Sequence, residues 1–300
     1  MDVYKLKVSD WGEKPLDKDR FEAETKKKRP YYVIDEKGRE TYFAVCPACD
    51  NPIQIIGFYR RLRHTDKPYA KHYAKSVPAL ATYRQEAYEY CPYANPRQHD
   101  RAARKSPHDP LGEKILALLV QEFDRVIYLL EKAIGLRISN KLAEQMLVDY
   151  KAMEGHLYTG ATLSNIPWVF AYMTNSKSIV GRNILDTDMV EAIIEKVDGA
   201  SVDEESGFLW QSPEAKASKQ FLDINYCFIH HRSRREDHSV KESMVMEVTQ
   251  GSRAEQVYRK AIEFDREAFQ RLIHASGERV KRPRKDVLVG MAKRILRGLE

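Results

Sequence analysis

The sequence predicts an α+β fold: an N-terminal zinc-knuckle module, a helical middle, and a C-terminal β-hairpin with helices. Three observations predict it. A C-x-x-C pair, Cys46 and Cys49, lies between two β-prone runs. Apolar residues recur at helical spacing from Ile115 onward, and the spacing changes to a period of two after Phe221. Three hundred residues suit two or three domains. The expected divisions are 1–108, a zinc-binding β-rich module; 109–200, a helical domain; and 201–300, an α+β region with a basic C-terminal helix.

Residues 1–29 are polar and end in Lys26, Lys27, Lys28 and Arg29, with a short strand expected over 3–8. Residues 31–34 and 39–45 flank Gly38 and read as a hairpin leading into the cysteine pair. Pro47, Asp50, Asn51 and Pro52 are the residue types that make a tight turn, here one that points two sulfurs at one ion. A tetrahedral metal needs two further ligands. His72 is the expected third, with His64 and His99 as rivals, and Cys91 is the fourth, delivered by a short helix over 78–90. Cys, Cys, His and Cys form a donor set suited to Zn2+. A redox pair would be expected near a βαβ pattern, which this stretch lacks. A disulfide would suit an oxidising compartment. The first residues, M-D-V-Y-K-L-K-V-S-D, hold no apolar core of signal-peptide length, and no apolar run approaches the ~20 residues of a membrane span. The expectation is a cytoplasmic chain with no membrane segment.

C-P-A-C-x-x-P-I followed by K-P-Y-A-K-H-Y-A-K resembles the N-terminal zinc segment of the competence protein CoiA family. There a C-P-x-C-x-x-P-V knuckle precedes a P-H-F-A-H element. Cys46, Cys49, Pro52 and His72 match, with Tyr73 and Ala74 following; Lys75 stands where the second histidine would be, and Lys71 rather than proline precedes His72. The resemblance covers about 45 residues. It implies a bacterial protein with a structural zinc and, downstream, a nuclease domain with acidic metal ligands and a lysine. Glu113 and Lys114 are the one echo of that pattern, and adjacent helical residues do not face each other.

After a linker at 107–110, Ile115, Leu118, Leu119, Phe123, Val126, Ile127, Leu130 and Ile134 predict one long amphipathic helix ending at Gly135. Ser139 is placed to cap a second, Ser164 and Pro167 to open a third, and residues 187–197 form a fourth. Leu222, Ile224, Tyr226, Phe228 and His230 share one strand face, with a partner strand at Met244, Met246 and Val248. Adjacent His230 and His231 point to opposite faces; one of them, with Asp223 or Glu247, is a candidate acid–base site. Ser252 and Glu255 have the spacing of a capping box and predict a helix running towards Gly277. A last helix begins at Asp286.

The net charge of +6 fits nucleic acid as a partner. Residues 59–105 carry eleven Lys or Arg against four acids, interleaved with seven tyrosines. Cations that meet phosphates and rings that stack bases are how single strands are gripped; the same tyrosines could instead pack a small core. Residues 279–300 carry eight cations against two acids. Candidate phosphate contacts are Arg60, Arg61, Arg63, Lys71, Lys75, Lys281, Arg282, Arg284 and Lys285. The leading expectation is a zinc-stabilised, non-enzymatic protein of prokaryotic type that binds DNA or RNA or acts in regulation. The alternatives are a metal-dependent nuclease like the competence family, and a protein–protein adaptor. No phosphate-binding loop, dinucleotide fingerprint or G-x-S-x-G is present.

Overall fold

The β-prone runs around the cysteines pair as antiparallel strands. The computed structural model describes residues 1–34, 38–59, 65, 67–203, 205–274 and 284–298. β1 (Val3–Tyr4) pairs with β2 (Lys14–Pro15), so the strand expected over 3–8 is short. α1 (Lys18–Thr25) starts at Asp17, whose carboxylate accepts the Arg20 N–H. β3 (Tyr32–Ile34), β4 (Glu40–Val45), β5 (Pro52–Ile56) and β6 (Tyr69–His72) form a four-stranded sheet in sequence order. Tyr42, Ala44, Ile53, Ile55 and Ala70 of this sheet pack with Tyr4, Phe21 and Phe58 as one apolar core. α2 (Gln85–Glu89) is a short helix just before Cys91.

The helical stretch is α3 (Pro110–Gln121), α4 (Phe123–Ile134), α5 (Asn140–Ala152) and α6 (Ile166–Tyr172). The expected single helix is two. Glu122 leaves helical geometry at φ −112° and ψ 18°, and its buried carboxylate turns to Arg125 at 2.8 Å and Arg284 at 3.0 Å. α4 ends at Gly135, whose φ of +71° is the left-handed cap that glycine supplies without strain, and the Ser139 hydroxyl accepts the Leu142 N–H. β7 (Lys177–Ser178), α7 (Thr187–Lys196), β8 (Ala200–Val202), β9 (Leu209–Gln211) and α8 (Pro213–Ala217) follow.

β10 (Ile224–Glu236), β11 (Ser239–Gln250) and β12 (Glu255–Glu263) form a meander, with β7 added beyond β10. The helix expected from Ser252 is therefore a third strand, and α9 (Arg266–His274) begins only after it. β11 would otherwise present an unpaired edge; β12 takes it with Val257 and Ile262 buried. α10 (Asp286–Arg297) buries Leu288, Met291, Ala292 and Leu296. These helices and the meander share a second, larger core. Val240, at the tip of the β10–β11 hairpin, packs instead in the N-terminal core.

A bulge in β10 changes which histidine is inside. The register shifts between Ile229 and Arg232, and His230 has φ +57°. Before the bulge Ile224, Tyr226 and Phe228 are buried; after it His231 and Ser233 are. His231, not His230, joins the apolar face.

Candidate metal centre

Cys46 and Cys49 lie in the β4–β5 connection. The Asp50 N–H donates to the Cys46 carbonyl at 3.0 Å, and the Cys46 N–H to the Asn51 carbonyl at 2.8 Å. Asp50 has φ +61°, a left-handed conformation that Asp tolerates better than most residues. The Asn51 side chain accepts the Arg84 N–H at 2.7 Å and donates to its carbonyl at 3.0 Å. That clamp fixes the start of α2, and α2 sets Cys91. β5–β6 pairing places His72 opposite Ile53.

The four ligand atoms lie within 4.8 Å of one another. Cys46 Sγ is 3.7 Å from Cys91 Sγ, and His72 Nε2 is 3.3 Å from Cys49 Sγ and 3.5 Å from Cys91 Sγ. Two sulfurs bound tetrahedrally at ~2.3 Å stand ~3.8 Å apart, so the quartet is close enough to hold a metal ion. Burial raises the Cys46 thiol, but the neighbouring thiols and His72 outweigh this and hold it well below its ordinary value. Burial, and after it Cys46, push Cys49 and Cys91 well above theirs. A coordinating cation deprotonates such thiols outright. Of the rival third ligands, His64 lies outside the described residues, and His99 belongs to a different cluster.

Asp50 also anchors the turn. Its carboxylate pairs with Lys5 at 2.5 Å and with Lys114 of α3. Lys114, the residue beside Glu113, thus has a structural partner.

Lys71 and Lys75 are exposed. Arg60, Arg61, Arg63, Lys281 and Arg282 lie outside the described residues. Arg284 pairs with Glu122 and Asp124, each at 3.0 Å, and donates to the Gln121 carbonyl. The Lys285 N–H donates to Asp124 while its side chain is exposed. Within 59–105, Arg84 pairs with Asp109, Arg101 donates to the Thr174 carbonyl and Arg104 to the Met153 carbonyl. Lys105 is buried, donating to the Tyr158 and Ala161 carbonyls at 2.8 and 2.9 Å; burial lowers its pKa to about 7. Tyr93 is buried, Tyr73 packs on Phe43 and Tyr88 on His72.

A second cluster was missed in the sequence. His99, His231 and Glu242 gather their ligand atoms within 4.8 Å, all buried. The acid–base pairing expected with Asp223 or Glu247 is replaced: His231 Nε2 lies 3.3 Å from Glu242 Oε1. Glu247 lies opposite Cys227 in the β10–β11 register, and Asp223 accepts from Asn225. Asn165 donates to Glu242 at 2.9 Å, and the Tyr158 hydroxyl lies 3.0 Å from His231 Nδ1. Burial raises the Glu242 carboxyl, but His231, Arg266 and Asn165 together hold it below its ordinary value. Burial and the charge of His231 lower His99 to about 3. The adjacent histidines were the one available signal.

No protein-family model, curated protein or solved structure matches the chain. No helix among the described residues is long and apolar enough to cross a membrane.

Proposed function

We propose that the Cys3His quartet holds a structural zinc ion and that the surface it organises binds nucleic-acid phosphates without catalysing a reaction, in a cytoplasmic protein of prokaryotic type. Strand β6 carries this reading. His72 turns to the quartet while Lys71, its neighbour on the strand, is exposed. Alternation along a strand puts the ligand on one face and the cation on the other. Zinc is favoured because three sulfurs and one imidazole form a closed, four-coordinate set with no position left for substrate. The exposed cations Lys67, Lys71 and Lys75 lie on or beside this strand.

The experiment is binding of labelled single-stranded DNA, duplex DNA and RNA to the zinc-loaded chain over a series of salt concentrations. Log affinity is expected to fall linearly with log salt. Absence of binding at low salt would transfer the reading to a protein–protein adaptor. Cleavage of the oligonucleotide with magnesium would transfer it to the nuclease that the competence-family resemblance implies.

A further inference from the structure

We propose that His99, His231 and Glu242 form a second metal site, buried against Tyr158, Tyr172 and Phe264 of the larger core, that takes a divalent first-row transition metal. Two imidazoles and one carboxylate are a donor set such metals accept. The three residues come from the segment after Cys91, from β10 and from β11, and their ligand atoms all lie within 4.8 Å of one another.

The carboxylate supplies a second, independent observation. Glu242 Oε2 is buried with no hydrogen-bond partner, although the Glu242 side chain is 0% exposed. A buried acceptor without a partner is costly. Its nearest cation, Arg266 Nη1, is 3.8 Å away. That guanidinium already donates to the Tyr93 hydroxyl at 3.1 Å and the Val240 carbonyl at 2.7 Å. A metal ion would supply the missing partner.

The surrounding groups orient the ligands as outer-shell partners do. Tyr158 holds His231 by Nδ1, leaving Nε2 turned to Glu242. Ser233 holds His99 by Nε2 at 3.1 Å, leaving Nδ1 outside that bond. Asn165 fixes Glu242 Oε1. Gly160 leaves room for this arrangement: a Cβ there would stand 2.8 Å from the Tyr158 ring and 3.0 Å from His231 Cε1. The left-handed His230 is what turns His231 inward. Because every ligand is buried, the ion would enter as the chain folds.

The test counts metal in the full-length chain by elemental analysis, as purified and after unfolding in chelator and refolding with cobalt(II). Two ions per wild-type chain are expected. Thiolate-to-cobalt absorption should report the cysteine quartet alone, so the second ion should bind without adding to it. Glu242→Gln should retain one ion with the thiolate band intact. Tyr158→Phe should weaken the second site about 10- to 100-fold, as loss of an outer-shell partner does. One ion per wild-type chain in both preparations overturns the proposal, as do two ions in Glu242→Gln. Should Glu242→Gln not fold, the wild-type count decides alone.

Discussion

Asp50 and Lys114 form an ion pair that joins the cysteine turn to the first helix of the larger core. Lys5, 1% exposed, closes the same carboxylate from the other side. Removing one member of a buried ion pair leaves an uncompensated charge. Asp50→Asn is therefore expected to cost about 3 kcal/mol, measured by urea denaturation. A cost indistinguishable from that of an exposed Asp→Asn control would contradict the anchoring role.

Cys49→Ser, or treatment with chelator to remove the proposed zinc, should unfold the sheet of β3 to β6 while α3 to α6 stay folded. Metal ligation supplies folding free energy to a small core, whereas the helices bury their own apolar faces. Circular dichroism should show most helical signal retained and the tyrosine near-ultraviolet signal lost. One cooperative loss of both would mean that the two cores fold as a unit.

His230 holds a left-handed conformation that costs an ordinary L-residue about 1–2 kcal/mol. His230→Gly should be neutral or stabilising, and His230→Val should lose at least about 1 kcal/mol, since a β-branched residue fits that region worst. Thermal melts of the two variants decide it; equal melting temperatures would remove the bulge from the account.

Lys105 has a folded pKa near 7 against an ordinary value of 10.5. Between those values the unfolded chain binds more protons than the folded one, so this residue makes stability rise with pH across that window. Below pH 7 its full cost is present. Lys105→Met should remove up to about 1.4 kcal/mol per pH unit of that slope. Paired urea titrations at neutral and alkaline pH measure the difference, and parallel slopes in the two proteins would refute it.

Lys71 and Lys75 are exposed, whereas Arg284 is engaged with Glu122 and Asp124. Lys71→Ala and Lys75→Ala should each flatten the log affinity–log salt slope by about 0.7 to 0.9. Arg284→Ala should lower the melting temperature and leave the slope unchanged. The reverse pattern would move the proposed phosphate-binding surface to the C-terminal segment.

The cysteine quartet was legible because its first half is a local turn, and local turns depend on neighbouring residue types. Its third member was less so, since only the β5–β6 register sets His72 against the sulfurs. The helical periodicity runs straight through Glu122, so the break there, decided by a carboxylate reaching Arg284, left no mark in the pattern. Ser252 and Glu255 suit a helix start, yet the free edge of β11 claimed those residues as a strand. Two adjacent histidines carry no alternation, so nothing local showed that a bulge would send His231 rather than His230 inside. Glu242 and Asn165 meet it only through the tertiary fold.

Val240 completes the N-terminal core, and Arg235 of the same hairpin donates to the Tyr93 carbonyl 142 positions earlier in the chain. At about 5–20 residues synthesised per second, the segment holding Cys91 waits on the order of ten seconds for that hairpin to emerge. During that interval the first sheet has an unfinished apolar surface. A nascent chain paused before residue 240 should therefore be captured by chaperones through its earliest residues, and released once the hairpin arrives.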